Sequence, residues 1–211
     1  MKKYKAILFD FDGVIGNTME DNSNAWEHAF FNYNIKFDKR EYLQFEGFNP
    51  KKVVEYFTRG LPGTTIVDAD EIINLKERFY LKNNKFSFYD GVETLITGLK
   101  GKGYLLGLVT AANYSRLLKT VKKEVLELFN IVITGDKTIN CKPHPEPYLN
   151  AANALSVRPS DCMVVENAPL GIEAAKAAGM HCIAVASTLE KKYLQNADKI
   201  IDKISYLEGI L

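Results

Sequence analysis

The sequence predicts an α/β fold, in which helices cover both faces of a parallel β-sheet and a block of helices is inserted after the first strand. Two observations lead to this prediction. Short apolar runs rich in β-branched residues recur along the chain, and segments with apolar residues at helical spacing lie between most of them. Strands buried on both faces are continuous apolar runs, and alternation of strand and helix implies right-handed crossovers within a parallel sheet.

Six apolar runs are the candidate strands. The first five are short and nearly free of charge, and the last is weaker. They lie at residues 7–9, 105–109, 131–133, 163–165, 183–185 and 200–201.

Three stripes of apolar residues between these strands predict helices that pack on the sheet. Each stripe has the spacing of one helical face. Their members are Val92, Leu95, Ile96 and Leu99; Leu117, Val121, Val125 and Leu128; and Tyr148, Ala151, Ala152 and Leu155.

Residues 17–88 break the alternation, because they contain helical stripes and no convincing strand. Residues 60–63 form a predicted turn between two of these helices. We therefore predict a sheet domain at residues 1–16 and 89–211 and a helical domain at residues 17–88. The stripes contain Trp26, Ala29, Phe30 and Tyr33; Val53, Val54 and Phe57; and Ile72, Leu75 and Phe79.

The composition of the 211-residue chain, with 46% hydrophobic and 25% charged residues, is typical of a protein with a packed core. Lys and Arg (27) nearly balance Asp and Glu (26), and no long basic block suggests a nucleic-acid partner. Cys141, Cys162 and Cys182 lack metal-type spacing and cannot all pair, which favours a reducing, cytoplasmic location. The first apolar stretch ends at Asp10 and no run is long enough to span a bilayer, so we expect no membrane association. We also expect a monomer.

Polar residues follow four of the predicted strands. They are Asp10 and Asp12, Thr110, Lys142 and Glu166. The carboxyl ends of parallel strands meet at one edge of a sheet, so these side chains should lie close together. Neighbouring carboxylates repel one another unless a cation lies between them, and Mg²⁺ prefers oxygen ligands of this kind. Each signal alone is weak, but all four in order predict a metal-dependent phosphate enzyme.

Four motifs carry a family resemblance. They are Phe-Asp-Phe-Asp-Gly-Val at residues 9–14, Val-Thr-Ala at 109–111, Lys-Pro at 142–143, and the segment 164–179, which begins Val-Val-Glu-Asn. With them, essentially the whole chain resembles the haloacid dehalogenase superfamily, and within it the small phosphatases grouped with β-phosphoglucomutase and phosphoglycolate phosphatase. The resemblance implies a Rossmann-like parallel sheet core with an inserted all-helical cap domain.

The resemblance also implies a Mg²⁺-dependent phosphatase that acts on a small phosphorylated metabolite. Asp10 would attack phosphorus and form an aspartyl-phosphate. Asp12 would protonate the leaving group and then deprotonate the attacking water. Lys142 would neutralise charge beside Asp10.

The remaining predicted residues bind metal or substrate. The predicted metal ligands are Asp10, Asp12, Glu166 and Asn167, the last of which stands where many relatives carry a second acid. The Thr110 hydroxyl and the Ala111 backbone N–H would bind the transferring phosphoryl oxygens. Lys51 and Lys52, at the predicted start of a cap helix, would offer cations to the substrate.

Three alternatives remain open at this point. A phosphosugar mutase of the β-phosphoglucomutase type is disfavoured because Asn22 replaces a cap histidine, and Ala112 and Asn113 replace the Ser-Lys pair that holds a second phosphate. A non-catalytic binder of phosphate ligands would not need Asp12 as an acid–base group. A dehalogenase has no leaving alkoxide to protonate. Sugar phosphates, phosphoglycolate and nucleotides are all compatible with the sequence as substrates.

Overall fold

A parallel β-sheet lies at the centre of this computed structural model, which describes residues 3–62 and 67–211. Within these residues all six predicted strands are confirmed, with small shifts at their ends. The strands are Ala6–Phe9 (β1), Leu105–Val109 (β2), Ile131–Ile133 (β3), Cys162–Glu166 (β4), His181–Val185 (β5) and Lys199–Ile201 (β6). The strand order is β3-β2-β1-β4-β5-β6, and every pair is parallel.

Strand β1 has apolar contacts on both of its faces, as its continuous apolar sequence predicts. Ile7 and Phe9 belong to the apolar cluster on one side of the sheet, and Ala6 and Leu8 belong to the cluster on the other side. Leu8 is in register with Gly107 of β2 and with Val164 of β4. The start of the predicted site therefore lies on the central, most buried strand.

The helices fall into two groups along the chain. Four lie between β1 and the first helix that packs on the sheet: Met19–Phe31 (α1), Lys39–Tyr42 (α2), Pro50–Thr58 (α3) and Ala69–Asn83 (α4). The others alternate with strands: Val92–Gly101 (α5), Tyr114–Thr120 (α6), Lys123–Leu126 (α7), Glu146–Ala154 (α8) and Pro169–Ala177 (α9).

One predicted helix is wrong as a single element. The stripe from Leu117 to Leu128 divides into α6 and α7, because Val121 and Lys122 have extended backbone angles. Thr120 and Val121 are adjacent β-branched residues, whose side chains disfavour a continued helix. The break still leaves Val121 buried in the same apolar cluster as Leu117. The stripes at residues 92–99 and 148–155 are confirmed as α5 and α8.

The segment from α1 to α4, called here the helical segment (residues 17–88), has an apolar cluster of its own. Trp26, Phe30, Val53 and Ile72 are buried in this cluster, and the predicted helical stripes of the segment are confirmed. Asp68 begins α4 by accepting hydrogen bonds from the backbone N–H groups of the first helical turn. The predicted turn at residues 60–63 ends outside the described residues, and the domain division at 16/17 and 88/89 stays a prediction.

The strand order places a crevice at the predicted site. From β1 the chain proceeds outward through β2 and β3 on one side, and then crosses to β4 on the other side. Ligands of open α/β sheets bind at such a reversal, outside the carboxyl ends of the strands. Here those ends carry Asp10 and Glu166, and the Asp10 N–H donates to the Val165 carbonyl at 3.0 Å. In the part of the chain that the structure describes, none of the helices has the length and apolar character needed to span a membrane.

Candidate active site

Lys142 lies between the carboxylates at the ends of β1 and β4. Its Nζ donates to Asp10 Oδ1 at 2.5 Å and to Glu166 Oε1 at 2.6 Å. All three side chains are buried, with side-chain exposures of 1–6%. Ion pairs so far from water require well-placed partners, because the loss of hydration is large. The structure therefore brings together three residues from distant parts of the sequence that were predicted to meet.

Burial and neighbouring charges shift the pKa values of this group. Burial raises the pKa of Asp10 to about 8; Lys142 opposes the rise, and Glu166 and Asp12 add to it. Although burial opposes it, the charges of Asp10 and Glu166 raise the pKa of Lys142, which stays an ammonium ion. A cation beside Asp10 thus favours the carboxylate form that a nucleophile needs.

The Glu166 carboxylate is bonded through both of its oxygens. Besides Lys142, Oε1 accepts from the Tyr148 hydroxyl at 2.7 Å, and Oε2 accepts from the backbone N–H groups of Asn167 and Ala168 at 2.9 and 3.2 Å. Gly171 makes room for this arrangement, since a Cβ there would lie 1.7 Å from Oε1. The carboxylate is held in one position by the start of α9.

The Asp12 side chain has a different set of partners from Asp10 and Glu166. Its Oδ1 accepts from the Thr18 hydroxyl at 2.5 Å and from Arg116 Nη2 at 3.2 Å. The Arg116 guanidinium also lies over the Tyr80 ring, 4.3 Å from its centroid, and 3.9 Å from Glu77. Arg116 therefore connects the loop after β1 with α4 of the helical segment.

Arg116 is a site residue that sequence reasoning missed. It lies on α6 next to the apolar stripe residue Leu117, and nothing in the local pattern separates it from a surface arginine. In the structure it is 7% exposed, because α4 packs across it. The only sequence signal was its place in the first turn of a helix that follows a strand of the site.

Thr110 and Ala111 lie where the sequence predicted, at the end of β2. They line a small cavity together with Lys142, and Ala111 also lines the neighbouring pocket beside Asp12. The Thr110 hydroxyl accepts the Ala112 N–H at 3.1 Å. The residue that caps the start of α6 is Asn113, whose side chain accepts the Arg116 N–H at 2.7 Å. Thr110 thus lies in the loop at the site, ahead of the residue that caps α6.

A pocket of about 30 Å³ separates Asp12 from the helical segment. A space of this size holds water molecules and not a metabolite, so a substrate requires the segment to move. Gly47, with φ +83°, brings the loop before α3 against Lys142, and a Cβ there would lie 2.9 Å from Lys142 Cδ. The pocket is lined by Asp12, Asn22, Trp26, Tyr42, Phe45, Glu46, Gly47, Phe48, Pro50, Val53, Lys76, Ala111, Ala112 and Arg116.

Polar groups of the helical segment that line this pocket were also missed. Glu46 and Asn22 each have a buried oxygen without a hydrogen-bond partner among the described residues, Oε2 and Oδ1 respectively. Lys76 is buried, and its Nζ donates to Glu77 at 2.9 Å. Burial, aided by the Arg116 charge, lowers the pKa of Lys76 to about 8. Asn22 and Lys76 lie on helices and Glu46 lies in the loop before α3, and none of these positions gave a sign of burial.

The structure does not bring Lys51 and Lys52 into this enclosed pocket. Both are exposed on α3, where they pair with Asp70 at 2.8 Å and with Glu55 at 2.8 Å. The helix buries Val53 on its inner face, which turns the two lysines outward to a surface groove beside Lys142. Their role in substrate binding stays a prediction.

Two buried oxygen atoms at the strand ends fit a hard cation. Asp10 Oδ2 and Asn167 Oδ1 have no hydrogen-bond partner among the described residues, while Asn167 Nδ2 donates to Thr188 at 3.0 Å. Oxygen donors of this kind suit Mg²⁺. Within residues 3–62 and 67–211, no three His, Cys, Asp or Glu side chains are grouped as a metal site. In this arrangement Asp12 accepts from Arg116, and Glu166 accepts from Lys142.

Comparison with known proteins gives a family match over most of the chain. The model of the family described as haloacid dehalogenase-like hydrolase matches residues 7–185. Those residues contain both the loop after β1 and the end of β4, and so every predicted site residue lies within the match.

Individual proteins are similar over nearly the whole chain. Validoxylamine A 7'-phosphate phosphatase of Streptomyces hygroscopicus subsp. limoneus is 30% identical over 206 residues, which cover 96% of this chain and 95% of that protein. SUPPRESSOR OF QUENCHING 1, a chloroplastic protein of Arabidopsis thaliana, is 31% identical over 204 residues, but the match spans 92% of this chain and only 19% of that much longer protein. The solved structure of a putative β-phosphoglucomutase from Bacteroides vulgatus has a TM-score of 0.86 and 26% identity, and covers 98% of this chain and 87% of its own.

Proposed function

The chain belongs to the haloacid dehalogenase-like hydrolase family, and we propose that it is a Mg²⁺-dependent phosphatase that hydrolyses a small phosphorylated metabolite through an aspartyl-phosphate. The observation that supports the proposal most strongly is the buried group of Asp10, Lys142 and Glu166 at the reversal of the strand order. A carboxylate and an ammonium ion at hydrogen-bond distance, shielded from water, combine a nucleophile with a partner for phosphoryl charge.

In the first step, Asp10 attacks phosphorus. A bond forms between a carboxylate oxygen and phosphorus while the ester P–O bond breaks, and Asp12 gives its proton to the leaving oxygen. Thr18 and Arg116 orient Asp12 for this transfer, since both donate to its Oδ1. In the second step, Asp12 takes a proton from water, the water oxygen attacks phosphorus, and the bond to Asp10 breaks to release phosphate.

The residues around phosphorus stabilise its charge. Lys142 neutralises negative charge on the transferring group and opposes the rise in the pKa of Asp10 that burial causes. The Thr110 hydroxyl and the Ala111 N–H, at the end of β2, bind phosphoryl oxygens. The helical segment excludes bulk water while the intermediate exists, because it covers the site through Gly47 and the pocket residues.

Mg²⁺, when bound, would offset the negative charge of the phosphoryl group and of the carboxylates that approach it. The residues that would hold it are Asp10, the backbone carbonyl of Asp12, Asn167 and Glu166. Asp10 Oδ2 and Asn167 Oδ1 are two of the buried oxygens that have no hydrogen-bond partner among the described residues, which leaves them available as ligands. Glu166 would have to share its Oε1 between Lys142 and the metal shell.

Phosphoryl transfer between two positions of a sugar, the reaction of a mutase, is the alternative that the Bacteroides vulgatus likeness raises. A mutase must hold two phosphates at once. Here Ala112 offers no polar side chain, and the Asn113 side chain is bonded to the N–H of Arg116. Hydrolysis is therefore the better supported reaction. A cytoplasmic location and a monomeric state are also proposed and rest on composition alone.

The test is release of phosphate from p-nitrophenyl phosphate by the purified protein, with and without Mg²⁺. Metal-dependent release is expected, and no release under any metal condition would favour a non-catalytic binder. Conversion of β-glucose 1-phosphate to the 6-phosphate, without net release of phosphate, would show that the mutase alternative is correct.

A further inference from the structure

Two buried oxygens in the pocket beneath the helical segment have no hydrogen-bond donor among the described residues. They are Glu46 Oε2 and Asn22 Oδ1, in side chains that are 7% and 3% exposed as whole residues. A buried acceptor without a donor carries a free-energy cost, and native proteins seldom leave two together. Both residues line the pocket that Asp12 also lines, so a ligand that enters when the helical segment moves can supply both donors.

One charged residue of the pocket lining has no ion pair among the described residues. Its two cations already have protein partners, since Lys76 donates to Glu77 at 2.9 Å and Arg116 donates to Asp12 at 3.2 Å. Glu46 is the remaining carboxylate, and no ion pair to it occurs among the described residues. Among the charged residues that line the pocket, Glu46 is therefore the one that lacks a counter-charge.

Burial opposes a charge on Glu46 in the structure as it stands. It raises the pKa of Glu46 well above its usual value, and the negative charges of Asp12 and Asp10 add to the rise against Arg116 and Lys142. A ligand cation at hydrogen-bond distance would reverse this effect and favour the carboxylate. A second phosphate or a carboxylate on the ligand would instead lie beside the carboxyl group of Glu46 and the acceptor oxygen Oδ1 of Asn22.

From these contacts we infer that the substrate is a phosphate monoester whose alcohol portion carries a protonated amino group, which Glu46 and Asn22 bind. The inference rests on the proposed phosphatase function, since it identifies the leaving group of that reaction. An ammonium ion donates up to three hydrogen bonds, and charge-assisted bonds are stronger than neutral ones. Trp26, Tyr42 and Phe45 add aromatic walls that suit the apolar part of such an alcohol.

The test compares matched esters that differ in one group. O-phosphoethanolamine is paired with 2-hydroxyethyl phosphate, and glucosamine 6-phosphate is paired with glucose 6-phosphate. We expect kcat/KM of the wild-type protein to favour the amino ester by about tenfold or more in at least one pair, because the hydroxyl ester lacks the charge-assisted contact. Equal values or a preference for the hydroxyl ester in both pairs would overturn the inference.

Variants identify the residue responsible. In Glu46→Gln the ratio between amino and hydroxyl esters should fall to about one, whereas Glu46→Asp should retain a ratio above one. Glu20→Gln, which changes an exposed acid on α1 of the same segment, is the matched control and should keep the wild-type ratio. A wild-type ratio in a folded Glu46→Gln variant would contradict the inference. If that variant fails to fold, the wild-type preference and Glu46→Asp decide the question.

Failure of the inference is separable from failure of the proposed function. Calorimetric binding of the four esters to the Asp10→Asn variant, with Mg²⁺ present, measures the preference without turnover. Phosphate release from p-nitrophenyl phosphate without any preference for the amino esters would overturn the inference alone. Preferential binding of the amino esters without release of phosphate by the wild-type protein would instead overturn the phosphatase proposal.

Discussion

The two sides of the crevice differ in how their buried carboxyl groups are paired with cations. On the sheet side, Lys142 and Tyr148 together with backbone N–H groups bond both oxygens of Glu166, and Lys142 bonds Asp10. On the side of the helical segment, Glu46 and Asn22 keep acceptors without donors. A preformed group of charges serves chemistry that is common to many substrates, whereas unpaired acceptors are completed only by the right ligand. The sheet side therefore supplies the groups for the reaction, and the side of the helical segment supplies the groups that select the substrate.

The most severe change on the sheet side is Asp10→Asn. The amide cannot act as a nucleophile, and we expect kcat to fall by at least about 10⁴-fold. Phosphate release from p-nitrophenyl phosphate measures the loss, and circular dichroism checks that the fold persists. Turnover near the wild-type value would refute the assignment of Asp10 as the nucleophile.

Loss of the central cation should impair both stability and turnover. Lys142→Met leaves Asp10 and Glu166 buried without a counter-charge, which is expected to cost about 3–5 kcal/mol of unfolding free energy. Turnover should fall by about 10²–10³-fold as phosphoryl charge is no longer offset. Urea titration and initial rates measure the two effects. Lys176→Met, which removes an exposed pair with Asp198, is the control and should cost less than about 1 kcal/mol.

Arg116 connects the two sides, and its removal tests how they cooperate. Arg116→Met leaves Asp12 without one of its two hydrogen-bond donors. Because alkyl leaving groups need a proton from Asp12 and p-nitrophenolate does not, we expect kcat/KM to fall by about 10–100-fold on an alkyl phosphate and by only a few-fold on p-nitrophenyl phosphate.

Equal losses on the two substrates would show that Arg116 has only a structural role. Arg116→Lys should restore part of the activity on the alkyl phosphate, as it keeps a cation beside Asp12. Arg158→Met, at an exposed arginine, should change neither rate.

A further expected effect is on stability as a function of pH. Burial, with the charge of Arg116, lowers the pKa of Lys76 from 10.5 to about 8. Between these values the unfolded chain binds more protons, so this lysine makes the unfolding free energy rise with pH from about 8 to 10.5. Below that window the cost of burying the charge is fully present.

The measurement compares the wild-type protein with Lys76→Met by urea unfolding at several pH values. The wild-type protein should gain stability relative to the variant as the pH rises, by up to about 3 kcal/mol. A constant difference between the two proteins would mean that Lys76 titrates normally when folded.

Sequence patterns predict the sheet side better than the helical side for a physical reason. Strands such as residues 105–109 are continuous apolar runs because both of their faces are buried, and the polar residue that ends each run is therefore conspicuous. Asp10, Thr110 and Glu166 were located in this way, whereas Lys142 was predicted in the loop after the third strand. The break between α6 and α7 was missed, since apolar spacing continues across Val121 although the backbone does not stay helical.

Residues of the pocket could not be located from spacing. Lys76 and Arg116 are buried by packing between α4 and α6, which are separated in sequence by residues 84–113. Glu46 precedes α3 in a loop, where an acid is normally exposed. Lys51 and Lys52 were preferred instead because they begin a helix, but the structure pairs them with surface acids. Burial of charge by tertiary contacts leaves no periodic signal.

The proposed mechanism depends on a covalent bond between Asp10 and phosphate. Rapid acid quenching of the wild-type protein during turnover of p-nitrophenyl phosphate, followed by peptide mass spectrometry, detects that bond most directly. We predict one added phosphoryl group on the peptide that contains Asp10 and none in the Asp10→Asn variant. Continuous release of phosphate with no phosphorylated peptide, or with the phosphoryl group on another residue, would contradict the account.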